Sequence, residues 1–308
     1  MTASSLLTIR WRLAQLAAHL VVALIALVVI GGATRVMEAG LACPDWPLCF
    51  GTFLPGRQMN IQVFLEWFHR LDAFVVGVAL MAQLLAAIVW RSLLPSWLPL
   101  VSFLLVCMVA LQGGLGALTV LQLLPSAVVT AHLALALLLV AAVSALAQRL
   151  MTTSSIESPL WWRLMGGASV VAVFAQCLLG GRMATSWSAQ RCIAGADTCQ
   201  WLQWHRFAAS PVLFLLIAFA ITALLIGGWP RTQWPFLLSA LGLVSVQITL
   251  GVLTLRLGLS KPLVTVSHQL IASLLVALMS ALTFRTPEAK PSSMSLLIED
   301  SALEHCHG

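Results

Sequence analysis

Eight apolar runs divide this 308-residue sequence, each close to the roughly 20 residues that carry a helix across a bilayer. They fall at about 13–33, 63–90, 96–119, 126–148, 160–181, 201–227, 234–256 and 263–284. Inside lipid only helices and closed barrels satisfy their backbone groups, and these runs lack the alternation of a barrel strand. The expected fold is an all-α polytopic membrane protein with eight transmembrane helices. Charged residues make up only 8% of the chain, against about 25% in a soluble domain, too few to coat a water-facing surface. The net charge of +6 is scattered through short connections, which sets membrane orientation and does not suggest nucleic acid. The first run is long enough to span and no small-residue cleavage site follows it, so a cleaved signal peptide is not expected.

Four histidines stand near the starts of the even-numbered runs: His69, His132, His205 and His268. His69 and His132 are 63 residues apart, as are His205 and His268, and the two sets are offset by 136. Arg70 follows the first and Arg206 the third. Gln112 to Thr119 reads Gln-Gly-Gly-Leu-Gly-Ala-Leu-Thr and is echoed by Gln247 to Thr254, Gln-Ile-Thr-Leu-Gly-Val-Leu-Thr. Gly31-Gly32 ends the first run and Gly180-Gly181 the fifth. The chain thus reads as two parallel-repeated four-helix bundles, 1–150 and 155–285, related by an axis along the membrane normal. A polar tail, 286–308, is expected on the inner side. Its His305-Cys306-His307 is read as an adventitious metal binder and not a dedicated site.

With the N-terminus inside, the inner segments hold Arg10, Arg12, Arg91, Arg149, Arg163, Arg231, Arg285 and Lys290. The outer ones hold Arg35, Arg57, Arg182, Arg191, Arg256 and Lys261. Eight against six is a weak positive-inside bias. The cysteines support it, because Cys43 with Cys49 and Cys192 with Cys199 form close pairs in two loops on the outer side. The simplest reading in an oxidising compartment is one disulfide per loop, and the other is a redox couple at Cys43 that takes electrons from a site beneath it. Cys107 and Cys177 lie in apolar runs and are read as packing residues. His19 has no counterpart in the second half and is read as structural.

All four repeated histidines fall within about two turns of the outer ends of their runs. A lone buried histidine is more often a hydrogen-bonded structural residue, but matched pairs favour ligation. Zinc prefers four ligands in one cluster, whereas the repeat predicts two separate two-histidine sites. Two imidazoles from facing helices suit haem iron. Arg70 and Arg206 would then meet its propionates, or else snorkel to the surface or meet a loop acid such as Asp45. Three residues before His69 stands Glu66, whereas Leu202 stands three before His205. One carboxylate beside one of two sites suggests proton-coupled chemistry in the first half and a resident cofactor in the second. The plainer reading is an intrahelical pair of Glu66 with Arg70, and the two are compatible.

Gly31-Gly-Ala-Thr-Arg35, the Gly40-Leu-Ala-Cys-Pro-Asp-Trp-Pro-Leu-Cys49 loop, Glu66-Trp-Phe-His-Arg70 and the paired histidines resemble the haem A synthase family over about residues 10–284. That resemblance implies an eight-helix, two-fold repeated membrane oxidoreductase. It would oxidise a methyl group of haem O to a formyl group, giving haem A for terminal oxidases, with the formyl oxygen coming ultimately from water. It implies that His69 and His132 bind the substrate haem, that His205 and His268 ligate a haem b, and that Glu66 is the essential acidic residue. Cys43 and Cys49 match the family's outer-loop pair, and Cys192 and Cys199 the second loop pair of many members. Implied partners are haem O, the haem O synthase that supplies it, an electron acceptor and the lipid bilayer, with room for a homo-oligomer. Implied placement is multi-pass in the inner membrane of a bacterium, both termini cytoplasmic and the haem sites toward the outer side. The residues taken alone fit a diheme b-type, quinone-linked electron-transfer protein equally well, or a haem carrier.

Overall fold

In a computed structural model of the protein, residues 3–152, 156–195 and 199–287 are described, with side chains from Thr8 onward. The tail histidines and Cys306 lie outside the described residues. The chain runs α1 (Ala3–Val36), α2 (Ile61–Val89), α3 (Leu98–Leu121), α4 (Ser126–Met151), α5 (Leu160–Thr185), α6 (Ser188–Ile193), α7 (Gln200–Ile226), α8 (Gly228–Thr232), α9 (Trp234–Arg256) and α10 (Pro262–Thr283). All but the short α6 and α8 are long and apolar enough to cross a membrane, making eight spans. Among the described residues no strand forms. Large apolar side chains such as Phe74, Leu100, Val171, Phe214 and Leu225 point outward, as lipid-facing residues do. The protein is a multi-pass α-helical membrane protein. Its spans match the apolar runs to within a few residues at most ends. Arg35 and Arg182, read as loop residues, lie in the last turns of α1 and α5, where a cation faces the negative end of the helix dipole.

Local chemistry sets the helix ends. The Asn60 side chain accepts the Val63 N–H at 2.9 Å and caps α2. Proline occupies the first turn of α3, α9 and α10, where its missing donor costs nothing. The turns after α3 and α9 are alike. Leu123 and Leu124 are left-handed in one, Gly258 and Leu259 in the other. Leu124 donates to the Thr119 carbonyl at 2.8 Å and Leu259 to the Thr254 carbonyl at 3.0 Å. Pro211 interrupts α7. The carbonyl it cannot serve, Phe207, accepts the Ser210 hydroxyl instead, at 3.0 Å. At the end of the bundle where α1 begins, Arg10 donates to the Leu150 and Arg149 carbonyls, both at 3.0 Å, and to that of Thr152, closing the end of α4.

α1 to α4 pack around one another, and α5, α7, α9 and α10 do the same; α1, α4, α5 and α10 join the two groups. At the centre of this joint the Ser144 hydroxyl donates to the Ala277 carbonyl at 2.7 Å, and the Ser280 hydroxyl to the Ala141 carbonyl at 2.6 Å. The two bonds are reciprocal and carry the 136-residue offset of the histidines. Each is worth about 0.6 kcal/mol by analogy with other membrane bundles. Gln269 adds a third tie, donating to the Val28 carbonyl of α1 at 3.0 Å. Trp162 fills the joint at the far end, fully buried against Phe219, with its indole N–H on the Leu282 carbonyl at 2.9 Å.

Candidate functional site

Both short loops close by disulfides, Cys43–Cys49 and Cys192–Cys199, with Cα atoms 4.8 and 5.1 Å apart. The first loop is built onto α2. The Asp45 carboxylate accepts the Phe50 and Gly51 N–H groups at 2.6 and 2.7 Å. Those bonds, that from Gly51 foremost, hold the Asp45 carboxyl below its usual pKa, helped by nearby Arg70. The Trp67 indole donates to the Phe53 carbonyl at 2.5 Å. Arg70 donates to the Asp45 carbonyl at 2.6 Å, to the Leu48 carbonyl, and to Oε1 of Glu66 at 2.5 Å. Oε2 of Glu66 accepts the Cys43 N–H at 2.8 Å. Glu66 is buried, so the intrahelical Glu66–Arg70 pair is made and also anchors the disulfide loop. Leu202, its counterpart, is buried and apolar.

The histidines meet in the two expected couples. The His69 and His132 rings have centroids 6.5 Å apart at 63°, and His205 and His268 6.4 Å apart at 75°. A metal–imidazole bond is about 2 Å and the ring centre lies roughly 1.2 Å behind the bonding nitrogen. Two rings on opposite sides of one iron therefore have centres about 6.4 Å apart, which both couples match. Among the described residues no cluster of three or more His, Cys, Asp or Glu gathers as a closed metal site would require.

Each ring lies against a glycine of the preceding span. A Cβ on Gly31 would come 3.1 Å from Cε1 of His69, and one on Gly116 3.3 Å from Cε1 of His132. On Gly180 the distance to Cε1 of His205 is 3.0 Å, and on Gly251 it is 3.1 Å to Cε1 of His268. These are the glycines of the repeated sequence stretches. The repeat made them visible, but only the packing of α1 on α2, α3 on α4, α5 on α7 and α9 on α10 shows that they seat the imidazoles.

The surroundings of the rings differ between halves. Gln176 donates to the His205 carbonyl at 2.7 Å and stands 3.2 Å from Nδ1 of that ring. Gln247 stands 3.3 Å from Nε2 of His268, whose Nδ1 lies 3.1 Å from the Gln247 carbonyl. Gln112 reaches only the His132 carbonyl, at 3.1 Å. Four residues before Gly180 is Gln176, but four before Gly31 is Leu27. The backbone of Leu27 stands beside the His69 ring and that of Gln112 beside the His132 ring. Side-chain amides thus reach ring nitrogens in the second half, at His205 and His268, whereas Gln112 reaches the His132 backbone. Arg206 is exposed. His19 faces outward and bonds the Gln15 carbonyl of its own helix at 2.7 Å. Cys177 packs in the joint, whereas Cys107, read as a packing residue, is exposed because its face of α3 meets no other span.

A family model described as cytochrome oxidase assembly protein, COX15-CtaA, matches residues 14–280. A protein named Heme A synthase from Caulobacter sp. (strain K31) is 34% identical over 148 residues, 45% of this chain and 41% of its own. One of the same name from Bradyrhizobium diazoefficiens is 31% identical over 185 residues, 49% and 50% of the two chains. A third, from Shewanella oneidensis, is 32% identical over 127 residues, 34% and 36% of the two chains. The chain spans half or less of the length of these relatives.

Proposed function

The chain belongs to the COX15-CtaA family of cytochrome oxidase assembly proteins, and from that premise we propose that it is a haem A synthase. The substrate would be haem O, bound between His69 and His132, and the product haem A. His205 and His268 would hold a resident haem b, with Arg206 facing its propionates. Bound there, haem b supplies one-electron redox chemistry. The observation that carries this reading is the pairing of two couples at iron-sandwich spacing with one buried carboxylate, Glu66, beside only the first.

The chain's own groups have distinct tasks. Gly31 and Gly116 let backbone close on the first-half rings, so each imidazole can turn only away from its seat. The helices around them exclude bulk water from the methyl group being oxidised. Converting a methyl to a formyl group with oxygen from water releases protons and electrons. Glu66 has one lone pair of each carboxylate oxygen engaged and one free, so it can take a proton or face developing positive charge. Arg70 and the Cys43–Cys49 loop fix that carboxylate in place. The electrons need an acceptor beyond the first half, and His205 and His268 would hold a haem b able to supply one-electron chemistry there. The disulfides, which persist in oxidising compartments, favour a placement of the site end toward the outer face of a bacterial inner membrane, both termini inside. Haem O would arrive from the haem O synthase, and self-association is compatible with the lipid-facing surface.

Pigment extraction tests this. Cells that make haem O should accumulate haem A only when they carry the chain. His69→Ala should stop conversion while the protein keeps its haem b, and His205→Ala should lose haem b. Haem-loaded, folded protein that produces no haem A would overturn the assignment.

A further inference from the structure

We propose that Arg35 is the anchor for a propionate of the porphyrin bound between His69 and His132. This rests on the haem site proposed above and adds to it the residue that recognises the acid edge of the substrate. Arg70, the arginine next to the ligand, is already engaged: its guanidinium serves Glu66 and the carbonyls of Asp45 and Leu48. Arg35 is not. It stands four residues after Gly31, the glycine against which the His69 ring lies. Residues four apart share a helix face, so Arg35 leaves α1 on the side of that ring, about 6 Å nearer the loop end.

The state of its guanidinium calls for an anion. Nη2 of Arg35 is buried and has no hydrogen-bond partner. Among the described residues the ion pairs are Glu66–Arg70 and Glu157–Arg163, neither involving Arg35. Glu38, the nearest acid in sequence, is exposed beyond the end of α1. A partly buried guanidinium without a counter-charge is costly, and a ligand carboxylate placed there would remove that cost. The guanidinium is also held in position. Its Cζ lies 4.6 Å from the ring centre of Trp187, a residue fixed in the left-handed conformation between α5 and α6. Stacking leaves the edge of the planar fork free for bidentate bonding to a carboxylate. The first-half pocket would thus be completed by Arg35, with Trp187 of the second half as its positioning residue.

The test is a Soret titration of the purified full chain, its second-half site filled, with ferric protohaem and with ferric protohaem dimethyl ester. Arg35→Gln should weaken binding of the diacid about tenfold and leave the diester unchanged. Arg35→Lys should recover part of the loss, because it keeps the charge but not the fork. Equal loss with both probes would make Arg35 a structural residue and overturn the proposal, as would no loss with either. If Arg35→Gln fails to retain the second-half haem, Arg35→Lys decides: it must lower diacid affinity more than diester affinity. His69→Ala separates the two claims. If it leaves uptake of both probes intact, the first-half haem site itself is wrong, and Arg35 falls with it.

Discussion

Oε2 of Glu66 accepts the backbone N–H of Cys43 at 2.8 Å, so the acid beside the first histidine couple is fastened to a disulfide. Glu66→Gln keeps the shape but loses the charge that Arg70 faces. Turnover of haem O should fall about 100-fold or more, with second-half haem content unchanged. Haem analysis of the purified variant beside extracted cell pigments measures both.

The same fastening predicts a redox sensitivity. Cys43→Ser with Cys49→Ser, or reduction of the native pair, frees the loop that presents the Cys43 N–H and the Asp45 and Leu48 carbonyls. Turnover should drop in both cases, while breaking Cys192–Cys199 alone should leave the Glu66 contacts in place. Thiol labelling paired with haem O conversion distinguishes the two loops.

The glycine seats give opposite signs for stability and binding. Alanine raises helix propensity by about 1 kcal/mol over glycine, but at Gly180 its Cβ would meet His205 at 3.0 Å. Gly180→Ala should therefore weaken second-half haem binding roughly 10- to 100-fold, the usual reach of a displaced ligand support. Gly113→Ala and Gly114→Ala have open space around the new Cβ and should be neutral for haem. Soret absorbance per protein reads the difference.

Of this architecture, the spans and the histidine couples were legible in the chain itself. Apolar length fixes a span, and the 63-residue spacing with its 136-residue offset pairs the histidines. What could not be read was which backbone groups the side chains would find. Nothing in the sequence marks the carbonyls of Asp45 and Leu48 as partners of Arg70, because a loop carbonyl has no residue-type signature. Arg35 looked like a loop cation because the apolar run stops before it, yet the helix continues to Val36. Gly116 and Gly251 stood out as repeats, but their meaning needed the packing of one span on the next.

Amide support should decide how tightly each half keeps its porphyrin. Gln176→Leu removes the group beside Nδ1 of His205 and should speed haem loss to apomyoglobin by roughly tenfold or more. Leu27→Gln, the reverse change in the first half, should slow release there. Equal off-rates in all three proteins would show that the amides do not set retention.

Acid should loosen the first loop through Asp45. Its folded pKa is depressed, so the stabilisation is present above the unfolded value of about 3.9 and fades as pH falls through the lower folded value. Loop proteolysis should therefore rise at low pH. Asp45→Asn should lose that pH dependence and be more easily cut at neutral pH.

The Ser144 and Ser280 bonds bear on biogenesis. α10, the last of the eight spans to be synthesised, carries the Ala277 carbonyl, the Ser280 hydroxyl and Gln269. A nascent chain with seven spans inserted holds none of these latches, and its earlier helices can still slide and separate in the bilayer. Completion of α10 locks both halves in one event, so an abortive product ending short of it would be set apart from the finished protein by looseness as well as by the absent His268.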